Sequence, residues 1–174
     1  MRFCLDAGHG GHDPGAEGPT GLDEAPVVLE ITKYVQTLLE SGDYEVKLTR
    51  ESEVFVDLGV RCDIANDWGA DYFVSIHANS NGLSAVGIET LYSSSDGKEL
   101  AVPIQAALIA LTGDTDRGIK KRDDLYVLNC TEMPAVLVEV GFISHPATEA
   151  KLYRPEYLEL LAEAIVLGIT QFFS

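Results

Sequence analysis

Short apolar runs alternate along this chain with longer segments of helical periodicity. The runs are too short for helices and rich in residues that favour strands, whereas the longer segments place their apolar residues on one stripe. Strands that alternate with helices need crossover connections, so the pattern predicts an α/β fold with a largely parallel sheet. The predicted strands are residues 2–7, 44–49, 71–78, 87–93 and 135–142, and the predicted helices are residues 26–40, 57–68, 97–112 and 156–173.

Proline and glycine indicate where these elements bend or end. Pro103 lies within the third predicted helix, where its missing amide hydrogen is expected to kink the helix or shift its start. Glycine, serine, asparagine and charged residues cluster at residues 8–23, 78–86 and 113–124, which are therefore predicted to be loops.

The length and charge of the chain restrict the class of protein. A chain of 174 residues, of which 46% are hydrophobic, has the size of one globular domain with a substantial core, so we expect a single domain over residues 1–174. The 28 acidic residues outnumber the 12 basic ones and give a net charge of −16, which repels nucleic-acid phosphates and anionic lipid. We therefore expect neither nucleic acid nor a membrane as a partner.

The N-terminus and the cysteines bear on where the protein is made. Asp6 interrupts the first apolar run before it reaches the roughly 7–15 residues of a secretory signal, and no run approaches the roughly 18 residues of a membrane span. Cys4, Cys62 and Cys130 are an odd and widely spaced set, which predicts core thiols rather than a disulfide framework. We therefore expect synthesis in the cytoplasm, without a signal peptide.

Four polar residues lie where a site can form in an α/β sheet. His9 directly follows the first predicted strand, His77 lies near the end of the third, and Glu24 precedes the first helix. Glu139 lies within the most hydrophobic strand, where an unpaired carboxylate is costly to bury. Since ligands of open α/β sheets bind beyond the carboxyl ends of the strands, these residues are candidates for one site.

Two imidazoles and one carboxylate match the ligand pattern of hydrolytic zinc, which leaves one coordination position for water. Zinc lowers the pKa of a bound water to about 7 and can polarise a substrate carbonyl. A second carboxylate, held off the metal, could take the proton of that water and pass it to a leaving amine. Burial raises the pKa of a carboxyl group and a metal lowers it, so Glu139 suits this role.

Each candidate also has an ordinary structural interpretation. A histidine after a strand is often only a loop or core residue, and Glu24 taken alone is a candidate helix cap. His12 is interpreted as a turn residue beside Asp13, with a place in the outer shell of the site as the alternative. The chain has no H-E-x-x-H motif, so the residues alone leave the metal site a hypothesis. A nucleophilic enzyme has less support, because no G-x-S-x-G motif is present and Cys4 and Cys62 lie on predicted core faces.

Eight short motifs follow one another along the chain. They are LDAGHGGHDPGA at 5–16, Glu24, LTR at 48–50, RCDIAN at 61–66, FVSIHANS at 73–80, GIETLY at 87–92, DRGIK at 116–120 and PAVLVEVGFISHP at 134–146. In this order the set resembles the zinc-dependent N-acetylmuramoyl-L-alanine amidases of the type 3 catalytic domain family. The resemblance covers residues 2–173, and the ordered set is far more specific than any single motif.

The resemblance implies a fold, a reaction and a role for each candidate residue. The fold would be a twisted, mostly parallel (mixed) sheet of about six strands with helices on both faces. His9, Glu24 and His77 correspond to the ligands of one zinc ion, and Glu139 corresponds to the catalytic acid/base. The reaction would be hydrolysis of the amide between the lactyl group of N-acetylmuramic acid and L-alanine of the stem peptide in peptidoglycan.

Further expectations concern the surroundings of the site and the place of action. His12, Arg61 and Asn79 are candidates for the outer shell or the substrate groove, and the 78–86 loop is too short for the autoinhibitory helix of some family members, so an open site is expected. We expect an endolysin or autolysin catalytic domain that acts at the bacterial cell wall after release, with a wall-binding domain following Ser174. The alternatives are a zinc peptidase of the same fold and a non-catalytic wall-binding module.

Overall fold

Strands and helices alternate along the chain as the apolar pattern predicts. The computed structural model describes residues 1–174. The strands are β1 (Arg2–Ala7), β2 (Glu45–Leu48), β3 (Tyr72–Asn79), β4 (Ile88–Tyr92), β5 (Asp116–Lys121) and β6 (Ala135–Phe142). The helices are α1 (Glu24–Ser41), α2 (Leu58–Trp68), α3 (Ser95–Thr112), α4 (Tyr126–Cys130), α5 (Pro146–Leu152) and α6 (Pro155–Phe172). The predicted α/β class is confirmed, and every predicted strand and helix is present.

The six strands form one sheet in the order β2-β1-β3-β6-β4-β5. Neighbouring strands are parallel, except that β4 runs antiparallel to β6. The predicted mostly parallel, mixed sheet of six strands is therefore confirmed. Because β1, β3 and β6 are parallel neighbours, their carboxyl ends meet at one edge of the sheet, together with the amino end of β4.

Side chains alternate along each strand between two apolar layers, as the two-residue period of a strand requires. Helices α1, α3 and α6 pack on one face of the sheet in a core of 30 buried residues. Helices α2 and α4 pack on the other face in a core of 10 buried residues. Along β6, Val138 belongs to the larger layer and Leu137 to the smaller one, so Glu139 points to the face of α2 and α4.

The prediction that residues 113–124 form a loop is wrong, because β5 lies within them. Its sequence, DRGIKK, has one large apolar residue, and an edge strand can pair through its backbone without a buried apolar face. Helices α4 and α5 were also missed, since five and seven residues are too few to establish a helical period. Pro103 lies inside α3 without shifting its start, which Ser94 caps with its side chain.

The prediction that all three cysteines are unpaired is wrong. Cys62 on α2 and Cys130 on α4 form a disulfide, with their Cα atoms 5.9 Å apart, and the buried Cys4 is the only free thiol. The bonded cysteines are 68 residues apart in sequence, and they meet because α2 and α4 pack on the same face of the sheet. The number of cysteines therefore gives no argument for a reducing compartment.

Candidate active site

The three predicted metal ligands lie together at the carboxyl edge of the sheet. His9 follows β1, His77 lies near the end of β3, and Glu24 is the first residue of α1. One possible ligand atom from each lies within 4.8 Å of the other two. The Glu24 carboxylate bridges the two histidines, with Oε2 3.2 Å from His9 Nε2 and Oε1 3.0 Å from His77 Nδ1. The fold thus builds one cluster of donor atoms from three distant parts of the sequence.

Glu24 is held by backbone amides and does not cap α1. Its carboxylate accepts hydrogen bonds from the amides of Ala16 and Ala78, each at 2.9 Å, and the residue is buried. Asp23 occupies the N-cap position, and its side chain makes no capping hydrogen bond. The start of α1 therefore directs Glu24 into the cluster, while the bond from Ala16 ties the loop after β1 to the same carboxylate.

Glu24 and the two histidines stabilise one another's charged forms. Burial raises the pKa of Glu24, but the hydrogen bonds to His77 and His9 outweigh it and hold the pKa well below its ordinary value. The hydrogen bond with Glu24 raises the pKa of His9 to about 9, although burial opposes the change. Burial lowers the pKa of His77, and its hydrogen bond with Glu24 raises it overall. The cluster therefore attracts positive charge, whether a proton or a metal cation.

Two buried arginines fix the backbone of the loop that carries His9. Arg61 donates hydrogen bonds to the carbonyl oxygens of Ala7 and His9, at 2.6 and 2.7 Å. Arg50 donates to the carbonyl oxygen of Gly8 at 2.8 Å. Arg61, a predicted outer-shell or groove residue, thus supports the loop through its backbone. Arg50 has a similar role that was not predicted, although the LTR motif contains it.

Gly8 and Gly15 leave the space in which the cluster forms. A Cβ on Gly8 would overlap the His77 ring, and a Cβ on Gly15, whose φ is 74°, would lie 2.7 Å from Glu24 Oε2. His9 itself has a φ of 61°, in the left-handed region that residues with side chains seldom occupy. The glycine-rich loop therefore turns tightly enough to bring His9 against the other two donors.

Asp13, rather than His12, contacts the cluster from outside. Asp13 Oδ2 lies 2.8 Å from His9 Nδ1, the kind of carboxylate contact that orients metal-binding imidazoles. His12 lies in a turn and packs on Phe55, with the ring centroids 4.2 Å apart. The turn interpretation of His12 is therefore confirmed. The sequence feature that could have indicated this contact is the position of Asp13 four residues after His9 within one tight loop.

Glu139 lies between two polar neighbours on the same face of the sheet, directly opposite His77 on β3 and Glu89 on β4. Burial raises the pKa of Glu139 to about 7; the charge of His77 opposes the increase, and those of Glu24 and Glu89 add to it. Its Oε2 atom is buried without a hydrogen-bond partner. Asn79, another predicted outer-shell or groove residue, donates to Glu89 Oε1 at 3.2 Å. The carboxyl group of Glu139 is therefore suited to taking up and releasing a proton near neutral pH.

A groove leads to the cluster from the surface. A cavity of about 440 Å³ borders His9 and is walled by apolar side chains that include the exposed Phe55, Leu58 and Tyr126. No helix separates β3 from β4, so the predicted absence of a helix in the 78–86 loop is confirmed. The groove offers apolar surface on one side and charged donor atoms at its end.

Comparison with known proteins shows which proteins have a similar sequence and fold. Residues 3–171 match the family described as N-acetylmuramoyl-L-alanine amidase. The chain is 36% identical to the sporulation-specific N-acetylmuramoyl-L-alanine amidase of Bacillus subtilis, over 100% of this chain and 69% of that protein. It is 40% identical to the endolysin of Bacillus phage SPP1, over 98% of this chain and 65% of that protein. Among solved structures, the amidase AmiC2 of Nostoc punctiforme superposes with a TM-score of 0.95 at 37% identity, over 99% of this chain and 97% of that one.

Proposed function

The chain belongs to the N-acetylmuramoyl-L-alanine amidase family, and from this premise we propose that it is a zinc-dependent hydrolase of peptidoglycan. The bond cleaved would be the amide between N-acetylmuramic acid and L-alanine. The observation that carries the proposal is that the half-buried Glu139 stands opposite His77 of the His9, Glu24 and His77 cluster, and that its buried Oε2 atom has no hydrogen-bond partner.

The donor set fits a zinc ion. Two imidazoles and one carboxylate are the ligands of many hydrolytic zinc sites, in which the fourth position stays open. The close approach of Glu24 to both histidines, and the contact of Asp13 with His9, support this assignment. When bound, zinc would supply a Lewis acid that polarises the scissile carbonyl and acidifies water. We assign His9, Glu24 and His77 as its ligands, one ion per chain.

Glu139 would move the proton that the reaction requires. As the oxygen of water adds to the carbonyl carbon, the Glu139 carboxylate takes a proton from that water. The resulting carboxylic acid then gives the proton to the nitrogen of L-alanine as the C–N bond breaks. Burial raises the pKa of this carboxyl group and a bound cation would lower it, which together favour both halves of this exchange near neutral pH. The second proton of the water also passes to the amine, so the products are a carboxylate on the lactyl group and a stem peptide with a protonated amino terminus.

Digestion of purified peptidoglycan, followed by mass spectrometry, tests the reaction. We expect peptides that begin with L-alanine and glycan strands that stay intact. A zinc peptidase would instead release fragments cut within the stem peptide, and a wall-binding module would release nothing. Metal analysis of the purified protein should give about one zinc per chain, and less than a tenth of this amount would contradict the assignment.

Substitution of Glu139 separates its catalytic role from a structural one. Glu139→Gln keeps the size of the side chain and removes its ability to accept the proton, so we expect a loss of roughly 10²–10⁴-fold in kcat. Zinc content and unfolding in urea should stay close to those of the wild type. Full activity of this variant would refute the proposed mechanism.

We further propose that the enzyme acts at the bacterial cell wall after release from the cytoplasm, as an endolysin or autolysin does. No helix of the structure is long and apolar enough to span a membrane. The wall-binding domain expected beyond Ser174 stays a prediction, which the gene that encodes the chain can test.

A further inference from the structure

Positive charge is concentrated at β5, the edge strand beside β4. Four of the 12 basic residues of this acidic chain lie within six positions on β5 and directly after it. Two of them, Lys121 and Arg122, pair with neighbouring aspartates at the surface. The other two, Arg117 and Lys120, both reach the buried Glu89. We call Arg117, Lys120 and Glu89 together the cationic cluster.

The cationic cluster carries more positive than negative charge. Arg117 Nε and Lys120 Nζ each lie 2.6 Å from the same oxygen of Glu89, whose side chain is only 6% exposed. Burial raises the pKa of Glu89, but the hydrogen bonds from Lys120 and Arg117 outweigh it and lower the pKa, so the carboxylate stays charged. Two cations on one anion leave an excess of one positive charge.

The two cations keep hydrogen-bonding capacity that faces solvent. The side chains of Arg117 and Lys120 are 33% and 41% exposed. Apart from Glu89, Arg117 makes only a long hydrogen bond of 3.4 Å to the carbonyl of Val86, and Lys120 makes none. The Arg117 guanidinium lies over the Phe142 ring, 4.7 Å from its centroid, which fixes its position. The cluster therefore presents fixed and unused donors.

Charges on an edge strand often serve only to prevent association between sheets. This explanation suits Lys121 and Arg122, which are exposed and paired with their chain neighbours. It does not account for Arg117 and Lys120, which converge on a buried carboxylate beside the site.

The spacing of the strands relates the cluster to the scissile bond. Glu89 stands directly opposite Glu139, and β5 is the next strand beyond β4. Strands lie about 4.8 Å apart, so the cationic groups are roughly 5–10 Å from Glu139 across the sheet. An extended peptide advances about 3.3 Å per residue. A stem peptide whose first amide is at Glu139 can therefore place its second or third residue at the cluster.

We propose that Arg117 and Lys120 bind a carboxylate in the second or third residue of the stem peptide and make the enzyme selective for acidic over amidated stems. This inference rests on the proposed amidase function, because it assigns the side of the site that receives the leaving amine. Charge-assisted hydrogen bonds supply the selectivity, since an amide in place of the carboxylate loses the attraction to both cations.

Matched soluble substrates test the proposal. Two pairs of N-acetylmuramoyl-L-alanyl peptides are needed, differing only in whether the carboxyl group of the second or of the third stem residue is free or amidated. We expect kcat/KM of the wild type to be about tenfold higher for the free carboxylate in at least one pair, mainly through KM. Arg117→Gln and Lys120→Gln should each reduce this ratio towards one. Lys121→Gln, which removes the same charge from the opposite side of β5, should retain it.

The outcomes distinguish this inference from the proposed function. A wild type that cleaves both members of each pair equally well, or variants that keep the full preference, would overturn the inference and leave the amidase assignment standing. A wild type that cleaves no substrate would overturn the amidase assignment itself. Hydrolysis of the amidated substrate by a variant reports that it folds, and Arg117→Lys, which keeps the charge, should retain most of the preference.

Discussion

Removal of the Asp13 carboxylate should weaken zinc binding without unfolding the protein. Asp13 accepts a hydrogen bond from His9 Nδ1 at 2.8 Å and a second one from the backbone amide of Gly15 at 3.1 Å. It therefore fixes both the His9 ring and the loop around it. Carboxylates of this kind contribute 10–100-fold to metal affinity or activity. The Asp13 side chain is 40% exposed, which screens its charge, so we expect the lower end of this range. Asp13→Ala should therefore raise the Kd for zinc about tenfold, and Asp13→Asn, which can still accept a hydrogen bond, should raise it less.

Competition with a chromophoric zinc chelator at pH 7 measures this change directly. His12→Asn is the matched control, because His12 is the neighbouring loop residue and packs on Phe55 instead of touching His9. Its zinc affinity should stay within about twofold of the wild type, and urea unfolding of the metal-free proteins should show that all variants fold. Equal zinc affinity in Asp13→Ala and the wild type would refute the argument that Asp13 orients His9.

Three further predictions concern stability, pH dependence and thiols. Asp6→Asn leaves Arg61 buried without its anion, so urea unfolding at pH 7 should show a loss of about 3 kcal/mol. Burial raises the pKa of Asp6, but the charge of Arg61 and the hydroxyl of Ser75 outweigh it and lower the pKa overall. The ionised Asp6 therefore stabilises the fold above the pKa of the unfolded chain. The difference in stability between variant and wild type should shrink below about pH 3.9. We expect kcat/KM to rise with pH, with a midpoint at or below about pH 7, because Glu139 must lose its proton to act as a base and a bound cation lowers its pKa. A pH profile without this rise would contradict the role of Glu139 as base. Thiol titration in denaturant should find one thiol before reduction and three after it, and loss of the disulfide in Cys62→Ser should lower the free energy of unfolding by about 2–4 kcal/mol.

The sequence contained the elements of the fold and the residues of the candidate site. Apolar periodicity is a local property, so it located every strand with a buried face and every long helix. Polar residues stand out within an apolar run, which is why His77 and Glu139 could be recognised in their strands from the sequence. His9 and Glu24 were identified because they stand at the ends of predicted elements, where sites of α/β proteins form.

Contacts between distant elements could be decided only by the tertiary structure. The disulfide depends on α2 and α4 packing side by side, and the cationic cluster depends on β4 lying antiparallel beside β6 with β5 at the edge. Strand order is a global property, because it follows from how all the helices cover both faces of one sheet. The sequence by itself therefore determined which residues have side chains that can bind a metal or transfer a proton. Only the folded sheet decided that Asp13 supports His9, and that two cations stand beside Glu139 in a chain of net charge −16.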